Sequence, residues 1–218
     1  MEKSVSEPRN SPMEIPEIDH LVYVTNDLAA GIAHIERLLG VKPVPGGRHP
    51  DFGTHNALLS LGPETYLEVL APDPSLDPPA RGRLTDVWGA RAKGLFTWVA
   101  KAPDIQRTLD NAISPLGPVQ PCSRKRPDGS VLAWTLSDPF VGRLGGAIPF
   151  LIDWGRSPHP AQSAPAAGSL EGLTIHHPEP KRIGRILDSL GLSVTVQLSE
   201  QPHLVARIRT PRGVAELK

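Results

Sequence analysis

The chain has 218 residues, 23 Lys plus Arg against 23 Asp plus Glu, and a single cysteine. Balanced charge argues against a nucleic-acid or membrane-surface partner, which calls for a basic excess. One cysteine excludes an intrachain disulfide, so a reducing compartment, the cytoplasm, is expected. No apolar run approaches the ~18 residues of a membrane span.

Residues 1–16 are polar and lack the apolar core of a secretory signal, so they read as a mobile tail. A first module, 17–71, opens with Ile18-Asp19-His20-Leu21-Val22-Tyr23-Val24, an apolar run bearing one histidine. After the turn Thr25-Asn26-Asp27, in which Asn26 or Asp27 can cap a helix, Leu28, Ile32, Ile35 and Leu39 fall at helical intervals up to Gly40. A Gly- and Pro-rich loop, Pro43–Gly53, precedes two apolar runs, Asn56–Leu61 and Thr65–Leu70, split by Gly62-Pro63-Glu64 as in a hairpin. A short strand is also expected near Val44.

A connector, 72–93, carries Pro72, Pro74, Pro78 and Pro79, with a short helix expected at Leu84–Ala90. The second module, 94–155, predicts a strand at Leu95–Ala100 and a helix at Asp104–Ile113 with Ile105, Leu109 and Ile113 on one face. Strands follow at Val119–Ser123, Val131–Leu136 and Ile148–Trp154, the first two flanking the turn Arg126-Pro127-Asp128-Gly129. A Pro-, Ala- and Ser-rich linker, 156–169, leads to a third module, 170–218. Its helix carries Ile183, Ile186, Leu187 and Leu190, and its strands are Val194–Leu198, Leu204–Ile208 and Val214–Leu217. Each helical segment closes with Leu-Gly. Counting back 20 positions from Gly40, Gly117 and Gly191 reaches His20, Thr97 and Glu171, so the three copies superpose without a gap. A repeated strand–helix–strand–strand–strand unit is strong fold evidence.

The βαβββ repeat, the opening Ile18-Asp19-His20-Leu21-Val22-Tyr23 and the closing Tyr66-Leu67-Glu68-Val69 resemble the vicinal oxygen chelate superfamily. Segments 46–56 and 149–155 are similar to stretches of its uncharacterised glyoxalase-like domain proteins. The resemblance implies an α+β fold in which paired βαβββ modules form a curved mixed β-sheet cup with helices outside. It also implies a divalent metal (Zn, Fe, Ni or Mn) held from the first and last strands of each module. Carried onto this chain, His20 and Glu68 become ligands, Glu68 doubling as base, and Asp153 the candidate from the second module. Thr97 stands where a second histidine would be, and aligning Phe150 with Tyr66 puts Ile152 opposite Glu68. Pairing of modules 1 and 2 is preferred, with module 3 an appended half that closes the assembly as a homodimer. Pairing of modules 1 and 3 would instead gather His20, Glu68, Glu171 and Glu216.

Among substrate contacts, His49, His55 and Asn56 lie in or beside a loop whose glycines let backbone approach a ligand. Trp98 and Trp154 read either as packing residues or as substrate walls. Arg124 is either a clamp for a substrate carboxylate or a solvated member of Arg124-Lys125-Arg126. His159, in the linker, and His176-His177 are assigned no role. Two functions stay open. One is a glyoxalase-like enzyme, a lyase, isomerase or dioxygenase in which a metal polarises a vicinal-oxygen substrate. The other is a metal-free protein that binds and sequesters a small molecule.

Overall fold

The structure is a computed structural model and describes residues 17–218 except 91, 126–128 and 142. The tail at 1–16 and most of the turn expected at 126–129 lie outside the described residues. Eight strands form one curved sheet: β1 (Glu17–Val24), β2 (Val44–His49), β3 (Thr54–Ser60), β4 (Tyr66–Pro72), β5 (Gly94–Lys101), β6 (Val119–Lys125), β7 (Val131–Ser137) and β8 (Phe150–Asp153). Their order is β2-β3-β4-β1-β5-β8-β7-β6. β1 runs parallel to β4 and antiparallel to β5, so the first two modules join through their opening strands. The edge strands β2 and β6 approach each other, which nearly closes the sheet into a cup.

Period-2 alternation sorts the strand residues onto two faces. On the outer face Leu21, Leu67, Trp98 and Leu151 pack with Ile35 of α1 (Leu28–Leu39) and Ile105 of the helix at Ile105–Asp110. On the inner face Val22, Tyr66, Leu136, Phe150 and Ile152 form a second apolar cluster. Full burial of a side chain such as Leu21 or Leu67 contributes about 1.5–3 kcal/mol, so the outer cluster is the main stabiliser. The inner cluster is smaller and leaves a hollow.

The helix starts follow their local signals. Asp27 accepts a hydrogen bond from the Ala30 N–H at 2.8 Å, and Asp104 one from Arg107 N–H at 3.0 Å. The three Leu-Gly glycines, Gly40, Gly117 and Gly191, adopt positive φ of 81°, 79° and 72°, a conformation only glycine takes without strain.

Several boundaries differ from the sequence expectation. In the connector, α2 spans Leu84–Trp88. The second-module helix, α3 (Ile105–Asp110), stops three residues before Ile113, which is exposed. Pro115 lacks the N–H that would reach back to Asn111 and disfavours helix at Ser114. β8 begins at Phe150 rather than Ile148, because Pro149 cannot donate to a ladder. The loop before it is held by buried Arg143, which donates to the carbonyls of Asp138, Leu116 and Pro149.

The third module has the expected element order but a different pairing. β9 (Ser169–His177), α4 (Pro180–Ser189), β10 (Thr195–Leu198), β11 (His203–Thr210) and β12 (Gly213–Leu217) give a separate sheet ordered β10-β9-β11-β12. Here the opening strand sits between the second and third strands, whereas in the first two modules it pairs with the fourth. Element order alone does not choose the neighbour a returning strand takes. Leu173, Ile175, Ile183 and Leu204 of this module join the outer cluster.

The two Pro-rich segments are fastened down. The 156–169 segment runs beside β3: the Ser60 N–H donates to Pro165 O at 2.8 Å and the Ala167 N–H to Ser60 O at 3.0 Å. The connector crosses the mouth of the cup. Arg81 bonds both Asp138 carboxylate oxygens at 3.1 and 2.8 Å, and Trp88 Nε1 donates to Pro139 O at 2.9 Å. Among the described residues no helix is long and apolar enough to cross a membrane.

Candidate functional site: the inside of the cup

A β-bulge builds the centre of the site. The β1–β5 register shifts between Ile18 and His20, so the extra residue breaks the alternation and both Asp19 and His20 are buried. Asp19 Oδ1 lies 2.7 Å from His20 Nδ1. Its Oδ2 accepts Trp154 Nε1–H at 2.9 Å and faces His159 Nε2 at 3.1 Å. His159 Nδ1 accepts the Ala161 N–H at 3.2 Å, which assigns the His159 proton to Nε2, as donor to Asp19. Burial alone would raise the Asp19 pKa, but the bonds from His159 and His20 outweigh it and leave it below the ordinary value. Asp19 is therefore a carboxylate that holds three donors.

With Nδ1 turned to Asp19, His20 presents Nε2 to the cup, 3.7 Å from Glu68 Oε2. Its ring stacks on Tyr66 at 4.3 Å between centroids. Glu68 Oε1 accepts Asn56 Nδ2–H at 2.5 Å. Asp19, His20, Glu68 and Asn56 thus form one polar chain drawn from β1, β4 and β3.

The hollow is a cavity of about 60 Å³ that opens to solvent at its mouth. Its lining combines polar side chains, Thr54, His49, Arg124, His20, Glu68 and Asn56, with Phe52, Trp88, Trp134, Phe150, Trp154 and aliphatic neighbours. Such a balance, mostly apolar with a few converging polar groups, is usual for small-molecule sites. The glycines of β2 serve side chains here. A Cβ on Gly46 would stand 2.3 Å from Asn56 Oδ1, and one on Gly47 would stand 2.6 Å from Arg124 Nη1. Both side chains reach into the cup across strand positions left bare.

Acid is expected to loosen the fold through His49. Burial lowers its pKa from 6.5 to about 4, with Arg124 adding to the effect and Glu68 opposing it. Between those values the unfolded chain takes up the proton first, so stability falls as pH drops, by up to about 3 kcal/mol. Urea unfolding at pH 7 and pH 4.5 checks this. His49→Gln should lose less stability over that step than the parent, and equal losses would place the acid sensitivity elsewhere.

Of the residues singled out in the sequence, His20, Glu68, His49, Asn56, Arg124 and Trp154 line the cup together. Three do not. His55 lies between Thr54 and Asn56 on β3, so its side chain leaves by the other face. Trp98 is fully buried in the outer cluster, its Nε1 donating to Ala147 O at 3.1 Å. Asp153 alternates with the cup-lining Ile152 and Trp154, and its Oδ1 accepts the Gly155 N–H at 2.8 Å. Glu171 and Glu216 belong to the second sheet, Glu171 paired with Arg207 and Arg209 and Glu216 with Lys218. The four-ligand set with His20 and Glu68 therefore does not assemble. Asp19, Tyr66, His159, Trp88 and Trp134 were missed. For Trp134 a signal existed, since Leu132, Trp134 and Leu136 alternate on one face of β7.

The sequence model of a family described as glyoxalase-like domain matches residues 18–191. The chain belongs to that family. Among solved structures, the glyoxalase-like chain is similar to a hypothetical protein from Staphylococcus aureus. That match has 14% identity and a TM-score of 0.59, over 93% of this chain and 98% of the other. It is also similar to methylmalonyl-CoA epimerase from Mycobacterium tuberculosis, at 18% identity and TM-score 0.42, over 65% of this chain and 89% of that one. The Streptomyces coelicolor epimerase gives 16% identity and TM-score 0.43, over 67% and 100%. Identities at this level show the fold alone. No curated protein matches.

The metal implied by the resemblance can be tested against this glyoxalase-like cup's own donors. His20 Nε2 and Glu68 Oε2 are close enough to share one ion, since bonds of about 2.0–2.2 Å to each span their separation. Among the described residues no third protein ligand joins them. Among the described residues no group of three His, Cys, Asp or Glu side chains is arranged to hold a metal ion. The second module brings Phe150 and Ile152 to the cup, and its Thr97 gives its hydroxyl to Gly146 O at 3.3 Å. Catalytic zinc centres use three protein ligands and non-haem iron oxygenases two histidines and a carboxylate. The donor set fits neither.

Proposed function

We propose that this glyoxalase-like protein is a small-molecule enzyme of the isomerase or lyase kind that moves a proton at a carbon beside a carbonyl. The observation that carries the reading is the Asp19–His20–Glu68 chain ending inside an apolar cup. His20 Nε2 takes the proton from carbon while the C–H electron pair passes to the carbonyl oxygen as an enolate. The Asp19 carboxylate, bonded at Nδ1, supports the imidazolium that forms. The positive field of Arg124, which lines the same cup, favours the charge growing on oxygen without touching it. Glu68, oriented by Asn56, is the second group able to receive or return a proton. Return to the opposite face of the same carbon inverts it; return to a neighbour isomerises the substrate. Positioned acid–base groups of this kind contribute about 10²–10⁴-fold.

Deuterium exchange in D₂O, followed by NMR on 3-benzoylpropanoate and propiophenone, tests it. The wild type should exchange the CH₂ beside the ketone well above the blank, with or without chelator. His20→Ala and Glu68→Gln should each lose about 10²-fold or more. A wild-type rate equal to the blank for both ketones overturns the reading. The apolar majority of the lining favours, as the second reading, a protein that binds its ligand without turnover. Ligand-induced stabilisation with no exchange would select it.

A further inference from the structure

Arg124 and the tryptophan pair divide the cup into a charged end and an aromatic end. Arg124 is 9% exposed, so its guanidinium is largely withdrawn from bulk water and acts from within the cup. It reaches the cup from the edge strand β6 over the bare Gly47, and its charge is felt by His49 and Tyr66. A guanidinium carries five N–H donors in a planar fork, so it can grip a carboxylate beside its other contacts.

The aromatic end comes from the strands alongside. Trp134 and Trp154 lie with ring centroids 5.4 Å apart at 47°, and His49 meets Trp134 edge-on at 6.4 Å. In the β6–β7 register Arg124 faces Leu132, and Trp134 is two residues further on, on the same face. Diagonal neighbours of this kind stand roughly 7–8 Å apart. With their backbones that close, one ring and a short acid arm are enough to touch both side chains at once. His49, held neutral by burial, adds no second charge at that end.

We propose that the cup takes a small aromatic carboxylate. Its carboxylate lies on Arg124 in a two-pronged N–H···O pair, its ring against Trp134 and Trp154, and the carbons between them beneath His20 and Glu68. Only the last placement rests on the proton-transfer reading; the binding preference stands without it. Ring and charge are read by different residues, so each can be removed separately.

Isothermal titration with three probes tests the assignment. They are 3-benzoylpropanoate, its uncharged amide 3-benzoylpropanamide, and 4-oxopentanoate, which keeps the acid and ketone but replaces the ring with a methyl. The wild type should bind the aromatic acid about tenfold or more tighter than either of the others. Arg124→Gln should bring the acid down to the amide's affinity and leave the amide unchanged. Trp134→Leu should weaken both aromatic probes and spare 4-oxopentanoate. Equal wild-type affinity for acid and amide, or an unchanged acid-to-amide ratio in Arg124→Gln, overturns the proposal, as does no binding of the acid at millimolar concentration. The wild-type ratios need no variant, so a poorly folding Arg124→Gln does not shelter it. Selective binding without deuterium exchange would sink the proton-transfer reading and leave this one standing. Exchange with no preference for the acid would do the reverse.

Discussion

Asp19→Asn is expected to lower unfolding stability by about 2–4 kcal/mol and to cut deuterium exchange by about 10²–10⁴-fold. The native carboxylate is fully buried and accepts from His20, Trp154 and His159. An amide in its place offers one oxygen and a pair of donors. At least one of the three partners then faces an N–H and must either lose its bond, at about 1–3 kcal/mol each, or, in the case of His20, give up its tautomer. If the amide nitrogen turns toward His20 Nδ1, the imidazole must keep its proton on Nε2. That tautomer cannot accept a proton inside the cup. Urea unfolding gives the first effect and NMR exchange on 3-benzoylpropanoate the second. A stable variant that exchanges at the parental rate would show that Asp19 does not govern His20.

The largest purely structural effect is expected at Gly146, in the loop leading to β8. Its φ is +87°, and a Cβ there would stand 1.7 Å from Phe96 O. That oxygen belongs to β5, so the strand cannot yield without disturbing the Trp98 packing beside it. Gly146→Ala should cost at least about 3 kcal/mol, the sum of a strained backbone and a steric overlap. Gly129→Ala separates the two terms. Its φ is +82°, but a Cβ there meets nothing within 4 Å, so only about 1 kcal/mol should be lost. Matching small losses in urea unfolding would mean that the loop retreats from β5 at little cost.

The architecture was legible because its signals are local. Apolar periodicity, the capping turn at Asn26-Asp27 and the three Leu-Gly stops each work within about one helix length. His20 and Glu68 came from a resemblance, since nothing in their spacing shows that a first and a fourth strand run side by side. What stayed hidden depends on pairing between distant segments. Asp19 is the neighbour of His20 in sequence, yet strict alternation would send it to the opposite face, and only the bulge against β5 turns both inward. Trp98 sits in Leu-Phe-Thr-Trp-Val-Ala, which has no alternation from which to choose a face. Asp153 is the opposite case, because Phe150, Ile152 and Trp154 already exclude it from the cup. The third module repeats the spacing of the others and still pairs its strands differently.

His159 reaches the buried Asp19 from a stretch whose composition is that of a spacer. Segments between folded units commonly gain and lose residues with little effect, because nothing downstream measures their length. This one is gauged near its start, at position 159, by the aspartate that also holds His20. An insertion or deletion on the approach to position 159 would be transmitted to the floor of the cup, giving this outwardly permissive joint the length tolerance of an active-site loop.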